Sequence, residues 1–422
     1  MLSLLHLQGN LSPETLRLLD EIKAWGKQEL EPYIAEHWEK ATFPPHVWDS
    51  FRQHFPHLLG YALPQQYGGQ GLDLPTACQV SMTLASIDAS FATTLLVQYG
   101  LSAESILLCG TEEQKQRLLP PLAKLRTRGC FCLTEPQSGS DASDLTTVAV
   151  PTKGGFLVTG SKRWIGNAEG ADVYVVWARN MALPNHPVMG FLVETRHQAL
   201  LQQRGGEQPQ IETTKIKGKV SLRMLQNANV EFRKAFCPHK NVMEDYCGFG
   251  ASVGRVLEAS RLTVGWIPVG ICISALEKTI CYVKQRQAFG ASLSSYQLVQ
   301  EKLVRLVSTV ASMYLLVERI THESLVGRCS VASVSMVKAH NTRLGREVVS
   351  LCREMLGGNG IVLDYGIASK FCDMEGIYTY EGTYDVCVLV AGRQLTGVSA
   401  IKSAEGMKKR SKSKVNAPRS KL

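Results

Sequence analysis

The sequence predicts a mainly α protein with a β domain set in its middle. Three observations carry that prediction. Helix-period apolar stripes run to about residue 127, short β-rich segments follow to about 239, and the helical period then returns to about 401. At 422 residues the chain is longer than one ordinary core, so two or three domains are expected.

Ser12-Pro13-Glu14 is a helix start, with serine as N-cap and proline at the first helical position, leading into LRLLDEIKAWGKQEL. Helical patterns continue through LPTACQVSMTLASI and TEEQKQRLLPPLAKL, broken by the turn Tyr67-Gly68-Gly69-Gln70-Gly71. Residues 1–127 therefore read as an N-terminal helical domain. In 128–239 the expected strands are Thr146–Val150, Phe156–Thr159, Val173–Ala178, Met189–Val193 and Asn229–Phe232. Gly, Pro and Asn clusters separate them, as in a small antiparallel barrel or sandwich. Residues 240–401 read as a four-helix bundle. Its stripes are Val269/Ile273/Leu276/Ile280/Val283, Leu303/Leu306/Val310/Met313/Val317 and Val334/Val337/Leu344/Val348/Leu351/Met355, with a last helix after Thr383.

Composition excludes several function classes. Hydrophobic content of 45% and charged content of 20% suit a globular protein with an ample core. No run of about 18 uncharged apolar residues is present, so no transmembrane segment is expected. MLSLLHLQGN lacks the basic flank of a secretory signal. Of the net charge of +9, residues 402–422 hold +7, leaving +2 for the body. Nucleic-acid binding is not expected; the charge belongs to a basic tail expected to be disordered. That tail ends Ser420-Lys421-Leu422, which reads as a peroxisomal address taken up by an import receptor, placing the protein in a peroxisome or glycosome matrix. The twelve cysteines lack paired metal spacing, so they read as structural, and no metal is expected.

Catalysis is suggested by Tyr378-Thr379-Tyr380-Glu381-Gly382-Thr383-Tyr384-Asp385. Gly382 allows a tight turn, Thr383 can cap the following helix and Asp385 sits in its first turn. Glu381 would stand partly desolvated at a helix N-terminus, where a carboxylate can act as a base. A capped loop with a solvated glutamate is the other reading. Gly248-Phe249-Gly250-Ala251-Ser252-Val253-Gly254 has the wrong spacing and no preceding strand for a dinucleotide fingerprint. Gly357-Gly358-Asn359-Gly360 follows a helix, not a strand, so a Rossmann site is rejected.

Five motifs, in order, resemble the acyl-CoA dehydrogenase/oxidase family. They are Phe131-Cys132-Leu133-Thr134-Glu135-Pro136-Gln137-Ser138-Gly139-Ser140-Asp141, Trp164-Ile165-Gly166-Asn167, Arg286-Gln287-Ala288-Phe289-Gly290 with Gln297, Met355-Leu356-Gly357-Gly358-Asn359-Gly360 and Tyr380-Glu381-Gly382-Thr383. Lys162 to Asn167, Leu222 to Asn227 and Phe371 to Glu375 are most similar to plant-type short-chain peroxisomal acyl-CoA oxidases, with glutaryl-CoA dehydrogenases next.

The resemblance implies an FAD-dependent oxidoreductase with an acyl-CoA dehydrogenase-like fold. An acyl thioester would lose a proton from Cα to Glu381 and a hydride from Cβ to the flavin, giving a trans-2-enoyl-CoA. Phe131, Leu133, Thr134, Gly139, Ser140, Trp164, Ile165 and Gly166 would surround the flavin, Thr383 would lie near its phosphates, and Asp385 would also contact the cofactor. Arg286, Phe289, Gln297, Glu354, Gly357 and Gly358 would hold an FAD bound mainly by a neighbouring subunit. That arrangement implies a homotetramer, a dimer of dimers, with FAD at the interface. Ser140, Arg261, Tyr380, Glu381 and Gly382 would bind the acyl-CoA. An intersubunit salt bridge is the alternative role for Arg261.

Three departures narrow the expectation. Ser260 stands where some branches carry the base, so Glu381 is the sole candidate. Ala92 stands where glutaryl-CoA enzymes carry an arginine for the distal carboxylate, which favours a plain acyl chain, most similar to the short-chain case. Gly166 replaces a threonine or serine beside flavin N5, and the resulting space would admit oxygen, giving an oxidase that makes hydrogen peroxide. The alternatives are a dehydrogenase serving an electron-transfer flavoprotein and an inactive flavoprotein-fold scaffold.

Overall fold

The protein is described by a computed structural model covering residues 7–198, 210–244 and 248–400. The basic tail with Ser420, Lys421 and Leu422 lies outside the described residues.

The N-terminal region is helical: α1 (Pro13–Trp25), α2 (Glu31–Lys40), α3 (His46–His54), α4 (Leu74–Ile87), α5 (Ala89–Leu95), α6 (Glu104–Cys109) and α7 (Glu112–Ala123). Ser12 caps α1 by accepting from Thr15 N at 3.0 Å, and Thr111 with Gln114 forms a capping box on α7. Between α5 and α6 the helix continues as a π-helical stretch, Leu96–Ala103, a widening that often accompanies functional sites.

The middle of the chain forms a sheet of β1 (Gly129–Cys132), β2 (Val148–Thr152), β3 (Gly155–Gly166), β4 (Val173–Asn180), β5 (Val188–Glu194), β6 (Ile211–Lys215) and β7 (Asn227–Pro238). Its order is β1-β4-β2-β3-β7-β6, with β5 also paired to β4. The expectation of an all-antiparallel sheet is corrected here: β4 pairs in parallel with β1 and with the start of β2. β1 and β6 were not expected. β1 is four fully buried residues and has no alternation to read, while β6 is an edge strand of mixed exposure. Register shifts in the β3–β7 pairing kink the long strands so that the sheet can curl.

Beyond Pro238 the chain returns to helix: α8 (Val253–Gln285), α9 (Gln297–Leu325), α10 (Val331–Met355), α11 (Ala368–Thr379) and α12 (Tyr384–Thr396). Three of these are long. The expected fourth member, α12, has only 13 residues, and the unforeseen α11 delivers the chain to Glu381. α8 and α4 cross at backbone contact, since a Cβ at Gly270 would sit 2.1 Å from Met82 O. Ala89–Cys109 and Val253–Gln285 are long and apolar enough to cross a membrane by length and composition alone, but both are mostly buried in the protein interior.

Candidate active site

The loop from α11 to α12 is fixed from several sides. Asp373, buried in α11, accepts from Trp38 Nε1 at 3.1 Å and from Leu222 N at 2.6 Å, which ties α11 to α2 and to the loop before β7. Beyond α11 the backbone turns left-handed at Glu381 (φ 55°) and Gly382 (φ 91°). For glutamate this conformation is costly and requires outside support. Thr383 then caps α12 by accepting from Val386 N at 3.3 Å, and Asp385 lies exposed in the first turn.

Glu381 is gripped by side chains from α8 and α10. Ser260 Oγ donates to Glu381 Oε2 at 3.0 Å, and Arg261 Nε donates to Glu381 O at 3.1 Å. Lys338 Nζ donates to Tyr378 O at 2.9 Å and Gly382 O at 2.6 Å. Burial raises the Glu381 carboxyl above the usual carboxylate range, opposed by Arg261, the Ser260 hydroxyl and Lys338. Burial likewise pulls the Lys338 ammonium down to about 8. Arg261 is buried beneath the loop, where it also reaches Ser335 Oγ at 3.4 Å.

A second wall meets this loop through α5. The Tyr380 hydroxyl is buried beside Thr93 without a hydrogen bond of good geometry. Thr94 O accepts from Asn167 Nδ2 at 3.1 Å, and a Cβ at Gly166 would lie 3.1 Å from Val97 Cγ2 and 3.6 Å from Leu225 Cδ1. The space vacated at Gly166 is therefore largely taken by Val97. Trp164 has φ 65° and stays 49% exposed, with the Arg163 guanidinium 5.1 Å from its ring and its carbonyl accepting from Asn227 Nδ2 at 3.0 Å. Arg163 N donates to Thr134 O at 2.8 Å, which sets the end of β1 beside the Trp164 turn. Phe131, Leu133 and Ile165 are buried, Thr134 is half-buried, and Gly139 and Ser140 lie exposed in the turn after β1.

The remaining predicted residues lie elsewhere. Arg286 ends α8, Phe289 tips the hairpin of β8 (Gln287–Ala288) and β9 (Ala291–Ser292), and Gln297 starts α9. Glu354 pairs with Lys302 at 2.5 Å, next to Gly357 and Gly358. Asn359 Nδ2 donates to Tyr282 Oη at 3.0 Å, drawing the Gly357–Ile361 turn to the end of α8. Arg286 stands about 37 Å along α8 from Arg261, at the far end of the bundle from Glu381. Phe289 is 98% exposed, an aromatic side chain with no cover from the described residues.

Sequence reasoning missed Ser260 as a partner of Glu381, and missed Lys338, Val97 and Leu225 altogether. For Lys338 a signal existed: a lysine inside the apolar stripe of Val334 and Val337 must find partners when buried.

This fold and site define a class. Family models described as the N-terminal, middle and C-terminal domains of acyl-CoA dehydrogenase match residues 12–126, 130–235 and 247–396. The chain belongs to the acyl-CoA dehydrogenase family. Among curated relatives, an acyl-CoA dehydrogenase of Bacillus subtilis (strain 168) is 28% identical over 92% of this chain and 99% of that protein. Among solved structures, a glutaryl-CoA dehydrogenase from Mycobacterium smegmatis in complex with FADH2 superposes with a TM-score of 0.85 at 29% identity, covering 93% of this chain and 96% of that one. Butyryl-CoA dehydrogenase from Megasphaera elsdenii superposes at 0.82 with 26% identity, covering 92% and 99%.

The family binds FAD, and the residues present fit that group. A side chain at Gly139 would meet nothing within 4 Å, so the backbone there is open to a ligand. Trp164 and Phe289 offer uncovered aromatic surface, and Thr134 and Thr383 offer hydroxyls.

Proposed function

We propose that this protein dehydrogenates a short acyl-CoA between Cα and Cβ, with Glu381 as the base. One observation carries the reading: a carboxylate of raised proton affinity is held in a left-handed loop, and α5 touches both that loop and the Gly166 turn. The bound flavin supplies the hydride acceptor. The chain's own residues bind the thioester, exclude water and take the Cα proton at the Glu381 carboxylate. Ala92 is buried in an α5 without cationic side chains, which supports a plain acyl chain over glutaryl.

The same proposal assigns oxygen as electron acceptor and a peroxisomal matrix as the location. Gly166 brings no hydroxyl to the flavin, and residues 420–422 read as the import signal. It also assigns a homotetramer with FAD at the interface, because the Arg286 end of the bundle is too far from Glu381 to serve the same flavin within one chain. A second reading, a dehydrogenase passing electrons to an electron-transfer flavoprotein, is favoured by Val97 filling the space at Gly166 and by the relatives' names.

The test reduces the flavin with butyryl-CoA without oxygen and then adds air. The oxidase reading expects fast return of flavin colour with equimolar peroxide. Slow return, accelerated only by an electron-transfer flavoprotein, would establish the second reading.

A further inference from the structure

The loop that presents Glu381 would not hold its shape unaided. Two consecutive residues have positive φ, one of them a glutamate, and the carbonyls of Tyr378 and Gly382 turn inward rather than toward solvent. Both carbonyls accept from a single ammonium, that of Lys338, a fully buried residue on α10. Gly382 O also accepts from Cys387 Sγ at 3.5 Å. We propose that Lys338 is a positioning residue for Glu381: its ammonium clamps the loop on both sides of the base and supplies positive charge that keeps the carboxylate ready to accept a proton.

A buried lysine is costly unless it is paired and hydrogen-bonded. Here the two carbonyls give it directed partners and Glu381 gives it a counter-charge. The charged and titratable groups facing Glu381 are Arg261 on α8, Lys338 on α10 and Cys387 on α12, with Tyr380 beside it in the loop. Burial raises the Cys387 thiol and the Tyr380 hydroxyl, so both are neutral at pH 7. Two cations therefore face one carboxylate. Arg261 is held by Glu381 O and by Ser335, whereas Lys338 bridges both flanks of the base.

This inference rests on Glu381 acting as the base, so the test has one arm that needs no turnover. Lys338→Met and Lys338→Gln are compared with the unaltered holoenzyme. Amide hydrogen exchange is followed in the peptide spanning 378–386, and the rate of flavin reduction by butyryl-CoA is followed across pH. Exchange should quicken about tenfold in both variants as the clamp is lost. Flavin reduction should slow by about tenfold or more, and its acid limb should move up by about one pH unit, because removing a neighbouring cation raises a carboxylate's pKa.

Unchanged exchange, or an acid limb that stays in place whatever the rate, would overturn the proposal. Loss of FAD from both variants with the helices intact would overturn it too, since Lys338 would then serve the cofactor site. Should neither neutral variant fold, Lys338→Arg decides. Faster exchange and slower reduction with the limb unmoved support the clamp, and exchange like that of the unaltered protein refutes it. If no acyl-CoA reduces even the unaltered flavin, the proposed function fails while the exchange arm still judges the clamp.

Discussion

Ser260 Oγ donates a hydrogen bond to Glu381 Oε2 across 3.0 Å, while Leu257 O stands 3.4 Å from the same hydroxyl. A serine hydroxyl has one proton, so it serves one acceptor at a time. While it serves Glu381 it favours the ionised carboxylate; turned to Leu257 it leaves a more basic one. Ser260 cannot be a base itself, yet its hydroxyl sets the proton affinity of the proposed base.

Replacing Ser260 by alanine should therefore raise the Glu381 pKa further. Because the ionised carboxylate is the active form, flavin reduction falls as pH drops through that pKa. The acid limb of the rate profile in Ser260→Ala should lie at higher pH than in the unaltered protein. A stopped-flow pH series checks the sign, and a limb displaced to lower pH would refute the role.

Val97 and Gly166 make a second testable pair. A Cβ at position 166 would press on Val97 Cγ2 at 3.1 Å, so Gly166→Thr should overpack the site by about 1–3 kcal/mol. Trimming the neighbour in Gly166→Thr/Val97→Ala should restore thermal stability. If Gly166 governs oxygen access, the double variant should keep substrate reduction but show slower reoxidation by air. Reoxidation at the original rate would remove Gly166 from the account.

Much of this was legible in the sequence, for identifiable reasons. Helices carry their period in the chain, so the stripe through Val269, Ile273 and Leu276 located α8, and Thr383 announced the cap of α12. The middle sheet was less readable. β1 is buried throughout and has no alternation, and the parallel pairing of β1 with β4 is a long-range property without a local signature. Local chemistry pointed to Glu381, but its grip could not be seen. Ser260 and Lys338 lie 121 and 43 positions before it, and only the packing of α8 and α10 brings them to one loop. The exposure of Phe289 was likewise hidden, because a hairpin tip and a core aromatic look alike in sequence.

Glu135, inside the first recognised motif, proves to be a structural carboxylate. It meets Lys162 Nζ at 2.9 Å with both side chains fully buried, and that ammonium also donates to Leu133 O and Trp177 O. Burial pushes the Glu135 carboxyl up, but Lys162 and hydrogen bonds from Thr147 and Thr146 outweigh it and bring it down to about 2. The stabilisation is thus complete above the unfolded pKa of about 4.3 and is lost as pH falls toward about 2. Glu135→Gln, which strands the lysine, should cost about 3–5 kcal/mol in denaturant unfolding at pH 7. That loss should shrink in acid. A loss below about 1 kcal/mol at pH 7 would mean that the pair contributes little.

The separation of Arg286 from Glu381 predicts complementation between subunits. Arg286→Glu should lose flavin and Glu381→Gln should lose chemistry. Co-refolded mixtures of the two should regain activity, because some sites then pair an intact Arg286 end with an intact Glu381. No recovery in mixtures shown to contain hybrid oligomers would place both residues on one chain's flavin.

The most direct test mixes butyryl-CoA with the flavin-loaded protein without oxygen, alongside Glu381→Gln. The unaltered flavin should bleach within seconds, and the variant should keep its flavin yet bleach about a hundredfold or more slowly, the loss expected when a positioned base is removed. Equal bleaching by the two proteins would contradict the assignment of Glu381 as the base.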